Sequence, residues 1–93
     1  MEIVWSNSFK RAFKKLAKKQ PQLQAKAIEV LKILAIDPFT PSLKSHKLTG
    51  SLNGLWSCSV AYDCRIIFSF FDEEDTDEEV ILLIDIGSHD EVY

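Results

Sequence analysis

The sequence predicts a small α+β fold: an N-terminal strand, a helical hairpin, then three antiparallel strands, with the helices packed on one face of the sheet. Three observations predict it. Apolar residues recur at helical spacing between Phe9 and Leu34, they alternate with period two after Gly54, and the links between the late stretches are too short for crossovers. A chain of 93 residues is expected to form one domain, 1–93. With 46% apolar and 27% charged residues it has an ordinary globular balance, which excludes wholesale disorder.

Residues 2–5 (EIVW) are β-branched and aromatic and read as the first strand. Ser6-Asn7-Ser8 offers oxygens for the unpaired amides of a helix start. Phe9, Phe13, Leu16 and Ala17 then form one apolar stripe, while Lys10, Arg11, Lys14, Lys15 and Lys18 fill the wet faces. Gln20-Pro21 breaks the pattern, and Pro21 suits the first position of a second helix carrying Leu23, Ala27, Val30, Leu31 and Leu34. Asp37-Pro38 ends that helix, because the residue before proline avoids the helical region. A link of about three residues is expected between the helices, as in helical hairpins generally.

Residues 37–54 hold two prolines and two glycines, with Lys44, His46 and Lys47 among them, and read as a polar loop. Residues 55–60, 64–71 and 80–86 read as strands; residues 61–63 make a tight hairpin and residues 72–79 (DEEDTDEE) an acidic connection. Alternation puts Cys64, Ile66, Phe68 and Phe70 on one face, with Val80, Leu82, Ile84 and Ile86 completing it. Ile67, Phe71, Ile81 and Leu83 fall on the other face, an apolar strip that calls for a partner.

Net charge is −3, but it is segregated: residues 1–47 carry ten Lys/Arg against three Asp/Glu, and residues 48–93 one Arg against eleven Asp/Glu. The basic half suits a polyanion or an acidic protein; solvated helix faces are the plainer alternative. No stretch approaches the roughly 20 apolar residues of a membrane helix, and no secretory leader is evident, so a cytoplasmic protein is expected. Cys58 and Cys64 are too few for a disulfide scaffold and lack the short spacing of a zinc site; two buried thiols are expected, with no cofactor and no metal.

The candidate chemistry lies at the predicted sheet ends. His46, Asp63, Arg65, His89 and Tyr93 supply two imidazoles, a carboxylate, a guanidinium and a phenol. Brought together, they could cleave an RNA phosphodiester: a base takes the 2′-hydroxyl proton, a cation stabilises the phosphorane and an acid protonates the leaving 5′-oxygen. Histidine suits either proton role, arginine the phosphate, and tyrosine a splayed base. Each residue has a plainer reading: surface histidines for His46 and His89, an Arg65 ion pair with Asp63 or the acidic run, and Tyr93 as an aromatic plug.

His46-Lys47-Leu48-Thr49-Gly50, Gly54-Leu55-Trp56, Tyr62-Asp63-Cys64-Arg65-Ile66-Ile67-Phe68 and the ending Ile86-Gly87-Ser88-His89-Asp90-Glu91-Val92-Tyr93 together resemble the RelE/ParE toxin superfamily, nearest its RelE and YafQ branches. The resemblance implies a toxin of a type II toxin–antitoxin pair with a microbial-ribonuclease-like fold. Such a toxin cuts mRNA on the ribosome without metal and is silenced by a cognate antitoxin, through which alone it would meet operator DNA. By position, His46 and His89 look like the histidines of YafQ-like toxins, and Asp63 like their acidic partner. Arg65 looks like the phosphate-binding arginine of RelE-like members, Tyr93 like the terminal aromatic, and Lys44 and Lys47 like the phosphate-holding loop lysines. Ser59 stands where YafQ-like toxins have a further histidine, and Cys64 where they have tryptophan. The sequence pI of about 5.3 is also acidic for the family, so residues 72–79 are expected to point away from RNA. The antitoxin is expected on the Ile67, Phe71, Ile81 and Leu83 strip or on the basic helices. Two alternatives remain: a ParE-like inhibitor of DNA gyrase, and an inactive antitoxin-binding homologue.

Overall fold

The chain begins with strand β1 (Ile3–Trp5) and turns at once into helix α1 (Asn7–Lys19). Ser6 makes the turn possible: its backbone is extended and its side-chain oxygen accepts the Phe9 amide at 3.1 Å, satisfying an otherwise orphaned donor. Helix α2 (Pro21–Ile36) follows after a single residue. Gln20 caps α1 through its own amide (to Leu16 O, 2.7 Å) and also precedes Pro21, so one residue replaces the three-residue link expected from sequence. Asp37 closes α2, and its carboxylate accepts the Phe39 amide at 2.9 Å to start the next turn.

The structure, a computed structural model, describes residues 1–73 and 78–93. The core of the acidic connection, residues 74–77, lies outside the described residues, and with it the orientation expected for that run. Strands β2 (His46–Lys47), β3 (Trp56–Ala61), β4 (Cys64–Asp72) and β5 (Glu79–Gly87) and a terminal helix α3 (His89–Val92) complete the chain, with 3-10 turns at Pro41–Leu43 and Gly50–Leu52. The loop expected over residues 37–54 therefore contains a two-residue strand, and the tail after the last strand contains a helix. One five-stranded sheet has the order β1-β5-β4-β3-β2, with β1 parallel to β5 and the other pairs antiparallel.

Helices α1 and α2 pack on one sheet face. Phe9, Ala27 and Leu34 meet Cys58, Ile66, Phe68, Ile81 and Leu83 there, all fully buried. Burying each large side chain contributes about 1.5–3 kcal/mol. Trp5, Phe9 and Phe13 pack ring on ring at 5.0–5.8 Å and tie β1 to α1.

The face assignment of β5 needs correction. Ile67 pairs with Asp85 but Phe68 pairs with Leu83, so Ile84 is an extra residue, a β-bulge. A one-residue insertion inverts the alternation on its far side. Ile81 and Leu83 thus belong to the helix-covered core, while Val80 and Leu82 join Ile67 and Phe71 on the opposite, open face. The bulge is fastened to the start of α1, where Ser8 Oγ donates to Ile84 O at 2.7 Å.

Candidate active site

The open sheet face carries a polar row. His46 pairs with Ser57, Ser57 with Ile67 and Ser59 with Arg65, so these side chains share one face across β2, β3 and β4. A recess of about 230 Å³ is lined by Lys44, His46, Ser59 and Arg65. Residues separated by up to 21 positions meet there because β2 pairs with the start of β3 and the β3–β4 hairpin folds back on itself.

Arg65 Nη1 donates to Ser59 Oγ at 2.6 Å and, more weakly, to Ala61 O at 3.5 Å. Among the described residues no carboxylate lies within 4 Å of it, so the plain ion-pair reading does not hold there. A guanidinium has five donors, and most of these remain for a ligand. Ser59, noted from sequence as a departure from the YafQ-like pattern, acts as the seat of the guanidinium.

Lys44 adopts the left-handed conformation (φ 51°), unusual for a side-chain-bearing residue and of a kind that concentrates at functional sites. The turn brings its own carbonyl to His46 Nδ1 at 3.1 Å. A carbonyl only accepts, so Nδ1 carries a proton, and whenever the ring is neutral Nε2 is its acceptor. Lys47 goes the other way: on the adjacent position of β2 it faces Trp56 on the helix side, its Nζ 5.6 Å from the indole centroid. Of the two loop lysines, only Lys44 lines the recess.

His89 and Tyr93 arrive from the far end of the chain. Helix α3 starts with a capping box in which Ser88 Oγ accepts the Glu91 amide (3.3 Å) and Glu91 Oε1 accepts the Ser88 amide (2.9 Å). The helix packs on β4 and β5, and Tyr93 reaches over β4 so that its hydroxyl donates to buried Ser57 Oγ. His89 sits edge-to-face on the Tyr93 ring, centroids 4.4 Å apart. Asp63 is tied to the backbone of this helix: its Oδ1 accepts the His89 amide at 3.2 Å. The exposed His89 Nδ1 lies 3.8 Å from Asp90, a contact of little energetic weight. The chain of contacts runs His46, Ser57, Tyr93, His89, with Arg65 beside it.

Ser57 and Glu91 were not singled out from sequence, and Ser59 stood out only as a departure from the YafQ-like pattern. The signals were present: the alternation Trp56-Ser57-Cys58-Ser59 puts two hydroxyls opposite two core residues, and Ser88-x-x-Glu91 is a capping-box pattern. Cys58 and Cys64 are free and buried, as expected; burial pushes the Cys58 thiol up to about 12 and also raises Cys64, which makes poor nucleophiles of both. No helix among the described residues is long and apolar enough to cross a membrane.

The helices cover one face of the sheet, and a cationic, imidazole-bearing recess lies on the other. The chain belongs to the YafQ toxin family, described as "Bacterial toxin of type II toxin-antitoxin system, YafQ", which matches residues 1–93. Among solved structures it is similar to YafQ from E. coli strain BL21(DE3), with 21% identity and TM-score 0.78 over 99% of this chain and 97% of that one. It is also similar to a YoeB/ParE toxin from Agrobacterium tumefaciens, with 19% identity and TM-score 0.77 over 96% and 99%. A third similarity is to the heterotetrameric YoeB–YefM toxin–antitoxin complex of Staphylococcus aureus, with 18% identity and TM-score 0.70 over 96% and 97%. No curated protein sequence matches the chain.

Proposed function

We propose that this type II toxin is a ribosome-dependent endoribonuclease that cuts mRNA by attack of a 2′-hydroxyl on the adjacent phosphate. The observation that carries the reading is the shared recess of Arg65, His46 and Lys44, cationic groups beside an imidazole acceptor. Arg65 holds the phosphate and the charge that develops on it, with Lys44 on a neighbouring oxygen. His46 Nε2 takes the 2′-hydroxyl proton, and His89 returns a proton to the leaving 5′-oxygen. Tyr93 supports His89 edge-on and offers its other surface to a base. Asp63 acts through the backbone of His89, as a positioning residue for α3. The roles are filled by side chains, so the reading includes no metal.

Neutralisation by a cognate antitoxin belongs to the same reading, supported by the family and by the complexed state of the S. aureus relative. Expression of the wild type in a bacterium should arrest translation and yield mRNA cut within reading frames, while Arg65→Ala and His89→Ala should lose both effects. Equal cutting by all three proteins would contradict the site. Inhibited DNA supercoiling with intact mRNA would replace it by the gyrase reading.

A further inference from the structure

The recess at Arg65 opens into a larger groove that the mechanism leaves unused. Between α2 and the β3–β4 hairpin lies a groove of about 670 Å³, and Lys44, Ser59 and Arg65 line both it and the recess. Its apolar wall comes from Val30 and Ile33 of α2 and from Val60 of β3. Lys26 and Tyr62 stand along its length. Glu29 is the one carboxylate in the lining, and it is 3.5 Å from Lys32. A volume of this size, apolar with a few polar groups, falls in the roughly 300–1,000 Å³ range of small-ligand sites.

Tyr62 is the second observation. At the tip of the hairpin it is 99% exposed, and among the described residues neither its ring nor its hydroxyl has a partner. The fold gains nothing from an aromatic side chain placed there, whereas an unpaired nucleobase gains a stacking surface.

We propose that this groove is a nucleobase subsite that takes one unpaired nucleotide flanking the scissile phosphate, with Tyr62 stacking on the base and Lys26 meeting the backbone phosphate beyond it. The proposal rests on the ribonuclease reading, since the shared Lys44 and Arg65 place the groove one step along the strand from the cut. It adds a base-reading element outside the residues that perform the chemistry. A nucleotide is favoured over an apolar peptide because three cations, Lys26, Lys44 and Arg65, face the groove against one carboxylate.

The test is to map cuts on translating ribosomes with wild type, Tyr62→Ala, Tyr62→Phe, Lys26→Ala and Arg65→Ala. Tyr62 and Lys26 are exposed, so their replacement leaves the fold intact. Tyr62→Ala should slow cutting by about five- to a hundredfold, the range for loss of one base–aromatic stack, and level the base preference at one position beside the cut. Tyr62→Phe should restore both, because only the ring face is needed. Lys26→Ala should slow cutting and leave the preference unchanged. Unchanged rate and cut-site distribution in Tyr62→Ala, with Arg65→Ala inactive, would overturn the subsite and leave the active site standing. The same result with weakened antitoxin binding would make the groove a protein seat instead. A wild type that cuts no RNA would remove the ribonuclease reading itself, and the subsite with it.

Discussion

Among the described residues Arg65 is held at one nitrogen, with Ser59 supplying an oxygen at 2.6 Å and the rest of the fork free. Replacing it with alanine should lower cutting by about 10²–10³, the usual cost of removing one donor to a developing oxyanion, with thermal stability close to wild type. Lysine should recover only part of this, since it keeps the charge and loses the planar fork; initial cutting rates measure both. Asp85 gives a stability prediction with a definite sign. Burial raises its carboxyl above the usual range, so the folded protein holds the proton more tightly than the unfolded chain does. Ionising Asp85 at neutral pH therefore costs stability, and the cost vanishes once pH falls below the unfolded carboxylate value. Asp85→Asn, which keeps an acceptor for the Ile86 amide, should raise Tm at about pH 7 and leave it unchanged at about pH 3. The thiols are simpler: native protein should resist a thiol reagent at neutral pH, and both cysteines should react once it is unfolded.

Among the elements, α3 decides whether His89 and Tyr93 are in place. Its anchors are the Ser88–Glu91 capping box and the Asp63 carboxylate on the His89 amide. Glu91 also packs against Gly87, where an added Cβ would come within 3.1 Å of it, so a larger residue at the strand-to-helix turn requires Glu91 to give way. Ser88→Ala should weaken the helix by about 1 kcal/mol, seen as faster amide exchange at Glu91 and Tyr93. Glu91 itself is held below the usual carboxylate range, chiefly by the Ser88 amide, so the stability it adds is present at neutral pH and lost as pH falls through its lowered value. Amide protection in α3, taken relative to the intrinsic exchange rate at each pH, should fall on acidification in the wild type and much less in Glu91→Ala. The helical hairpin and the three late strands were legible because their periodicities are long and clean. Faces on β5 were not, because a bulge leaves no mark in a run as uniformly apolar as Val80-Ile81-Leu82-Leu83-Ile84. Strand β2 and helix α3 were too short for a period, and both depend on tertiary partners: β3 for one, β4 and β5 for the other. The candidate residues were legible as types, since two histidines and one late arginine stand out in 93 residues. Their arrangement was not, which is why Lys47 was expected at the site and Ser59 was not.

At the scale of the molecule, the sheet separates two surfaces. The helix side carries the exposed Lys10, Arg11, Lys14, Lys15, Lys18 and Lys19 of α1; the open side carries His46, Ser59 and Arg65 and the apolar Val4, Phe71 and Leu82. A basic helix suits ribosomal RNA, and its contribution should depend steeply on salt. Reversing Lys14 and Lys18 to glutamate should weaken ribosome association and flatten its salt dependence, measured by co-sedimentation at two ionic strengths, with no change in Tm beyond a few tenths of a kcal/mol equivalent. The chemistry of the open face has a more direct test. A ribosome-bound message carrying a 2′-deoxy sugar at the scissile nucleotide removes the attacking hydroxyl and changes little else. Wild-type toxin should cut the all-ribose message to leave a 5′-hydroxyl on the downstream fragment and should leave the 2′-deoxy message intact. Cutting of the 2′-deoxy message, or a downstream fragment with a 5′-phosphate, would contradict attack by the 2′-hydroxyl.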